Sequence, residues 1–197
     1  YFDEETKPPS FDPEGARTLL ARAGFVDRDR DGTLERGGRP LAFAFLVPAA
    51  SKSAQQWLTV YQQQLRRAGI RMRIVSLEWA TFLERIREHN YEMAALGMQL
   101  SGPYTDLYLQ LHSSQAAEGQ NYSGYQDEQV DRLLVQIREE TDDGKRRSLS
   151  RQLQRRLAAE VPVMPLFSLK EPGLVNRRVR GVYASDVWYQ IRDWRLE

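Results

Sequence analysis

Cysteine is absent from the chain's 197 residues, and histidine occurs only twice. The first absence removes disulfides, thiolate catalysis and cysteine-based zinc sites together. The two histidines, His89 and His112, stand too far apart in sequence to build a metal cluster, and each reads as a surface or loop residue. Long hydrophobic runs are missing too. None approaches the roughly 20 residues that span a bilayer, so direct membrane insertion is not expected. Charge of one sign is also lacking: 28 basic side chains face 27 acidic ones and leave a formal +1. A nucleic-acid binder carries a clear basic excess, so no nucleic-acid partner is expected. There is no G-x-S-x-G elbow, no P-loop and no glycine-rich dinucleotide fingerprint. The acidic pairs Glu139–Glu140 and Asp142–Asp143 lie on or between amphipathic stretches, as solvated faces and caps do. Glycosidase carboxylates need facing positions in a cleft. The expectation is a protein that is not an enzyme.

What is present is a strong pattern of alternating elements. Asp12 is placed to cap a helix, with Pro13 at its first position and Glu14 in its first turn. Ala16, Leu19, Leu20 and Ala23 then recur at helical spacing, and Gly24 stops them. The run "PLAFAFLVP" reads as a strand buried on both faces. Trp57, Val60, Tyr61, Leu65 and Ala68 stripe a helix ended by Gly69, and Ile70, Met72 and Ile74 then alternate with Arg71 and Arg73 as in a strand. Trp79, Phe82, Leu83 and Ile86 mark a short helix, and "YEMAALGM" reads as the next strand. This β-α-β-α-β order predicts an α/β fold with helices packed on a mostly parallel sheet. Two amphipathic helices follow, striped by Val130, Leu133, Leu134 and Ile137 and by Leu149, Leu153 and Leu157. "VPVMPLFSL" is a proline-flanked strand candidate, and "RRVRGVY" and "WYQIRDW" read as short β-like pieces. The chain starts at Tyr1 without a charged-then-apolar leader, and residues 1–11 resemble a linker. An excised piece of a longer protein is expected.

Two stretches carry candidate chemistry. "DRDRDGTLERGG" opens like a calcium-binding loop, with Asp27, Asp29 and Asp31 at alternate positions and Gly32 at the turn. In one reading these carboxylates, the Thr33 carbonyl and Glu35 hold a structural Ca²⁺, and no other cofactor is required. In the other, the aspartates form a tight turn leading into a hairpin bent at Gly37–Gly38. Gly38 stands where the loop needs a bidentate Glu, and a strand follows where a second helix belongs, so a calcium sensor is excluded. The second stretch, from Gln99 to Gln129, is rich in Gly, Ser, Gln and aromatics without a sustained period. Tyr104, Tyr122 and Tyr125 there suit a cleft that receives polar organic molecules, or serve as surface anchors. Asp106 and Asn121 can meet a ligand's amino or amide groups, or act as a helix cap and a turn former.

Three phrases, in order, resemble one family. "FDPEGARTLLARAGFVDRDRDGTLERGGRPLAFAFLV" matches a helix leading through a D-x-D-x-D-G turn into "G-PL-F". "LRRAGIRMRIVSLEWATFLERI" resembles a second unit, and "GQNYSGYQDEQVDRLLVQIREETDDGKRRSLSRQLQRRLAAEVPVMPLF" resembles the stretch "N-SGY-N-EVD-LL" through "E-P-IPLF". The chain is similar to the extracellular solute-binding proteins of peptide and nickel ABC transporters. The resemblance implies that residues 1–197 are the C-terminal lobe of a two-lobe, type II periplasmic-binding-protein-like fold. It implies a peptide or small polar solute as ligand, held in the cleft against a missing N-terminal lobe, and an ABC permease as partner. It also implies a monomer, periplasmic or extracellular, with any lipid anchor on the missing N-terminus. In this reading Tyr104, Asp106, Asn121, Tyr122 and Tyr125 line the cleft. Asp106 matches the second acidic position of the family's amine-anchoring run and Gly102 stands at the first, so sugars, opines or a metal chelate remain open as ligands. Two other assignments stay open: a ligand-sensing domain of a multidomain transcriptional regulator, and a calcium-stabilised module.

Overall fold

The computed structural model describes residues 1, 3–7, 10–97, 106–167, 174–182 and 193–197. The chain divides into two compact units. Lys7–Met98 forms an α/β unit, and Tyr1–Thr6 joins Gln99–Glu197 in a largely helical one.

The α/β unit begins with α1 (Pro13–Arg22), whose Asp12 cap accepts from the Gly15 N–H at 2.8 Å. After the acidic turn, β1 (Glu35–Arg36) and β2 (Arg39–Pro40) form an antiparallel hairpin. Its bend is Gly37–Gly38, with φ of 61° and 74°. Positive φ at both central residues is the primed turn whose twist suits a hairpin, and glycine adopts it without strain. Then β3 (Ala42–Pro48), α2 (Lys52–Arg67), β4 (Arg71–Leu77), α3 (Trp79–Arg87) and β5 (Met93–Ala94) follow. The sheet order is β4-β3-β5, parallel throughout, with β3 in the middle. That position explains its apolar run, since Phe45, Leu46 and Val47 are all buried. The core joins Phe45, Val47, Ala54, Leu58 and Met72, and Trp57 packs edge-on against Phe45 at 6.0 Å. The strand expected over "YEMAALGM" shortens to two residues. Its approach is completed by a side chain instead, as Glu92 accepts from the Ala44 N–H at 2.6 Å.

In the helical unit α4 (Tyr108–Leu111), a single 3₁₀ turn (Ser113–Gln115), α5 (Glu128–Glu139) and α6 (Asp143–Glu160) enclose a second core. It is built from Leu111, Val130, Leu133, Leu134, Ile137 and Leu153. Polar ties join the helices: Asp127 caps α5 through the Val130 N–H at 2.8 Å and accepts from Arg156 of α6 at 2.7 Å. Along α6, Gln154 bonds the Tyr1 carbonyl at 2.8 Å and the Asp3 N–H at 3.0 Å, while Arg155 reaches Asp3 and Glu5, each at 2.7 Å. A two-residue ribbon pairs β6 (Val179–Arg180) with β7 (Arg195–Leu196). The strand expected at "VPVMPLFSL" does not form over its described part, Val161–Phe167. Most of "WYQIRDW" lies outside the described residues.

Candidate functional site

In open parallel sheets, ligands sit in the crevice beyond the carboxyl ends of the strands. In the α/β unit those ends are Pro48, Leu77 and Ala94. The first two loops are short and tied together, with the Ala49 N–H donating to the Leu77 carbonyl at 2.8 Å. Two helices start there at once, α2 after Ser51 and α3 after Glu78, and neither cap residue bonds its own helix through its side chain. Neither helix carries an acidic residue in its first turn.

Trp79 opens α3 at this edge. Its indole is 56% exposed although it stacks on Phe82 at 5.7 Å with the planes 20° apart, and Phe82 itself is fully buried. A large aromatic is thereby held firmly from behind and left open to solvent. Helical spacing makes Trp79 one of the residues that mark this helix, and in the structure it is the helix's first residue, exposed while Phe82 and Ile86 are buried. Its signal is positional: a tryptophan two residues after a strand ends.

The irregular stretch of the helical unit is a hydrogen-bonded loop. Asn121 is completely buried, and its amide donates to the carbonyls of His112 at 3.2 Å and Tyr125 at 2.8 Å while accepting from the Ser123 hydroxyl at 2.9 Å. The amide is spent inside the loop and fixes the spacing of Tyr122 and Tyr125. Asp106 accepts from the Tyr108 N–H at 3.0 Å and pairs with Arg138 at 2.7 Å. Burial works to raise its pKa, but Arg138 and that N–H outweigh it and hold the carboxyl below its ordinary value. Arg138 also lies over the Tyr108 ring at 4.0 Å, and that ring stacks on His112 at 4.2 Å. Tyr122 is half-buried. Tyr125 packs on the second core with its hydroxyl buried and, among the described residues, without a hydrogen-bond partner. Burial, aided by Asp127 and Glu160, raises its phenol pKa against the pull of Arg156. Tyr104 and Gly102 lie outside the described residues.

At the acidic turn, one oxygen from each of Asp27, Asp29 and Asp31 falls within 4.8 Å of the others. Asp27 accepts from the Gly32 N–H at 3.1 Å through Oδ2, while its Oδ1 is buried and, among the described residues, without a hydrogen-bond partner. Asp31 accepts from the Thr33 N–H at 2.7 Å and pairs with Arg71 at 2.9 Å. The Thr33 bond, with Arg71 adding to it, lowers the Asp31 pKa. Glu35 pairs its backbone with Val26, the N–H donating to the Val26 carbonyl at 2.9 Å and the carbonyl accepting from the Val26 N–H at 2.9 Å. The guanidinium of Arg71 already supplies positive charge to one ligand of the cluster.

A family model described as "Bacterial extracellular solute-binding proteins, family 5 Middle" matches residues 1–120. The chain is 27% identical over 200 residues to the oligopeptide-binding protein AppA of Bacillus subtilis, covering 99% of this chain and 37% of that protein. It is 28% identical over 167 residues to di/tripeptide-binding protein 1 of Pseudomonas aeruginosa, covering 84% of this chain and 29% of that one. The oligopeptide-binding protein of Thermus thermophilus, solved with a pentapeptide, superposes with a TM-score of 0.78 at 24% identity over 94% of this chain and 34% of its own. The chain spans about a third of the length of the curated relatives it matches. It belongs to the family 5 bacterial extracellular solute-binding proteins, and its fold is that of the periplasmic binding proteins.

Proposed function

We propose that the chain is the C-terminal lobe of a protein that captures peptides or similar small polar solutes for import through an ABC permease. The observation that carries this reading is Trp79, exposed on the buried Phe82 at the carboxyl ends of parallel strands. An aromatic face there offers apolar contact to a solute's side chains, and the α2 and α3 N-termini offer N–H donors to its carboxylate or carbonyls. The named relatives bind oligopeptides and di- or tripeptides, which makes a short peptide the first solute to test. In the helical unit, Tyr122, Tyr125 and Tyr104 are the further contacts proposed, with Asn121 setting the loop and Asp106 available in exchange for Arg138. The mechanism is binding without turnover: two lobes close, exclude water from the solute and present the closed form to the permease. The protein works as a monomer outside the cytoplasmic membrane, with any lipid anchor carried by the other lobe.

Calorimetry on the full-length protein with mixed peptides of two to five residues tests the reading. Saturable heat is expected, weakened about tenfold or more in Trp79→Ala, the loss of roughly 1.4 kcal/mol of contact. No heat from peptides, sugars or metal chelates would refute it.

A second reading concerns the acidic turn, where Asp27 clusters with two further carboxylates and its buried Oδ1 has no hydrogen-bond partner among the described residues. A structural Ca²⁺ held by Asp27, Asp29, Asp31, the Thr33 carbonyl and Glu35 would satisfy that oxygen. Melting in millimolar Ca²⁺ against EGTA decides it: a rise in Tm that Asp27→Asn abolishes supports the ion, and identical curves dismiss it.

A further inference from the structure

The loop that Asn121 closes begins at a histidine. The His112 side chain is only 15% exposed, and its ring stacks on Tyr108 at 4.2 Å. Its Nδ1 accepts from the Ser114 N–H at 3.1 Å, so the imidazole caps the 3₁₀ turn Ser113–Gln115. An accepting Nδ1 carries no proton, which makes this the neutral ring with its proton on Nε2. The turn in its place holds the loop: the Gln115 carbonyl accepts from the Gly119 N–H at 3.1 Å and from the Asn121 N–H at 3.2 Å. Asp131 of α5 anchors the same turn, accepting from the Ser113 N–H at 2.9 Å and from the Ser113 hydroxyl. The Oδ1 of Asp131 stands 3.9 Å from His112 Nδ1.

We propose that His112 is a positioning residue that makes solute affinity depend on pH, acting through the turn it caps and the loop of Tyr122 and Tyr125. The proposal rests on the reading of those tyrosines as solute contacts. Neutral imidazole offers one donor and one acceptor, whereas imidazolium has two donors and no lone pair. A proton on Nδ1 therefore sets one N–H against another where the Ser114 bond was. The charged groups set against the imidazole are Asp131 and, over the Tyr108 ring, Arg138, which Asp106 already neutralises. The new Nδ1–H finds its acceptor in Asp131 Oδ1, in competition with the Ser113 N–H. Both ties of the turn loosen together, and the Gln115 carbonyl moves with them. Asn121 follows, and its amide carries the change to the Tyr125 carbonyl. Histidine changes charge between about pH 5 and pH 8, so the loop is set for capture near neutrality and weakened in mild acid.

Residue-resolved amide exchange on the full-length protein of its reading frame, corrected for the intrinsic effect of pH, tests the switch. The Ser114, Gly119 and Asn121 amides should lose about tenfold in protection between pH 8 and pH 5. His112→Asn keeps an acceptor close to the place of Nδ1 and takes no proton, so its protection should stay level over that range. His112→Phe keeps the stack on Tyr108 and loses the acceptor, so its loop should be loose at pH 8 already. The proposal fails if protection in the unmutated protein ignores pH, if His112→Asn still responds, or if His112→Phe stays protected at pH 8.

Peptide calorimetry on the same proteins carries the test to binding. Affinity should be about tenfold weaker at pH 5 in the unmutated protein, and His112→Asn should remove that difference. Equal affinity at both pH values while the loop loosens overturns the proposal. Exchange that behaves as described in a protein that binds no peptide, sugar or metal chelate overturns only the solute reading.

Discussion

The two units of this chain hold themselves together by different means. In the α/β unit the order is apolar and local: a central strand buried on both faces, helices that start where strands end, and a core of Phe45, Val47, Ala54, Leu58 and Met72. Its acidic turn is a surface feature that the core does not need. The helical unit has a comparable apolar core, yet its connections are set by polar side chains reaching across long sequence distances. Asn121 fixes a loop, Asp127 and Arg156 join two helices, and Gln154 with Arg155 binds the first residues of the chain to α6. A fold can place its helices by apolar burial and still rely on charge-assisted bonds for the segments that carry no period.

Truncation of the first core sharpens this contrast most. Leu58 is fully buried, and Leu58→Ala should cost about 2–5 kcal/mol in urea unfolding. Exchange protection should fall in the α/β unit and hold in the helical one; equal loss in both would show a single cooperative body. Asn121→Ala should act the other way, at about 1–3 kcal/mol, because it strips bonding partners from two part-buried carbonyls and the Ser123 hydroxyl. Loosening confined to residues 112–125 is the expected exchange pattern.

Acid should separate the units next. Arg155, with Thr6, holds the Asp3 carboxyl at about 2, below its ordinary 3.8. A lowered carboxylate contributes stability that is complete above its unfolded pKa and lost as pH falls through the folded one. This contribution therefore fades between about pH 4 and pH 2. Asp127, lowered by the Val130 N–H and Arg156, and Asp143, lowered by the Tyr1 hydroxyl and Arg147, add to the same unit. Circular dichroism with segment-resolved exchange should show the helical unit yielding first, and Asp3→Asn should flatten its acid limb. The smallest effect belongs to Arg71→Ala. Its partner Asp31 is about half exposed, so the pair should matter little, read as a small Tm change that salt erases.

Legibility followed the same division. The Asp12 cap, the Gly37–Gly38 bend and the doubly buried β3 were readable because each depends on residues a few positions apart. Trp79 marks α3 as expected, but its exposure is not readable because periodicity does not distinguish the first turn of a helix at a sheet's rim from its buried middle. Asn121 was correctly suspected as a turn former, but its burial depends on His112 and Tyr125 closing around it. Asp106 reads from sequence as a ligand contact or a helix cap; it accepts from the Tyr108 N–H, and Arg138, 32 residues further on, is not foreseeable as its counter-ion. The strand expected at "VPVMPLFSL" does not form over its described part, Val161–Phe167, since composition alone does not supply a pairing partner.

The bonds between the first residues and α6 also fix an order of events during synthesis. Arg155 lies 152 positions after Asp3. At about 5–20 residues per second, a ribosome delivers it on the order of 8–30 s later. The α/β unit, continuous in sequence, is fully translated within that interval and free to fold as it emerges. Asp3 and Glu5 must stay unclaimed until α6 appears. The helical unit is therefore the last to close, and Tyr1, Asp3 and Glu5 are captured by a helix that did not exist when they were made.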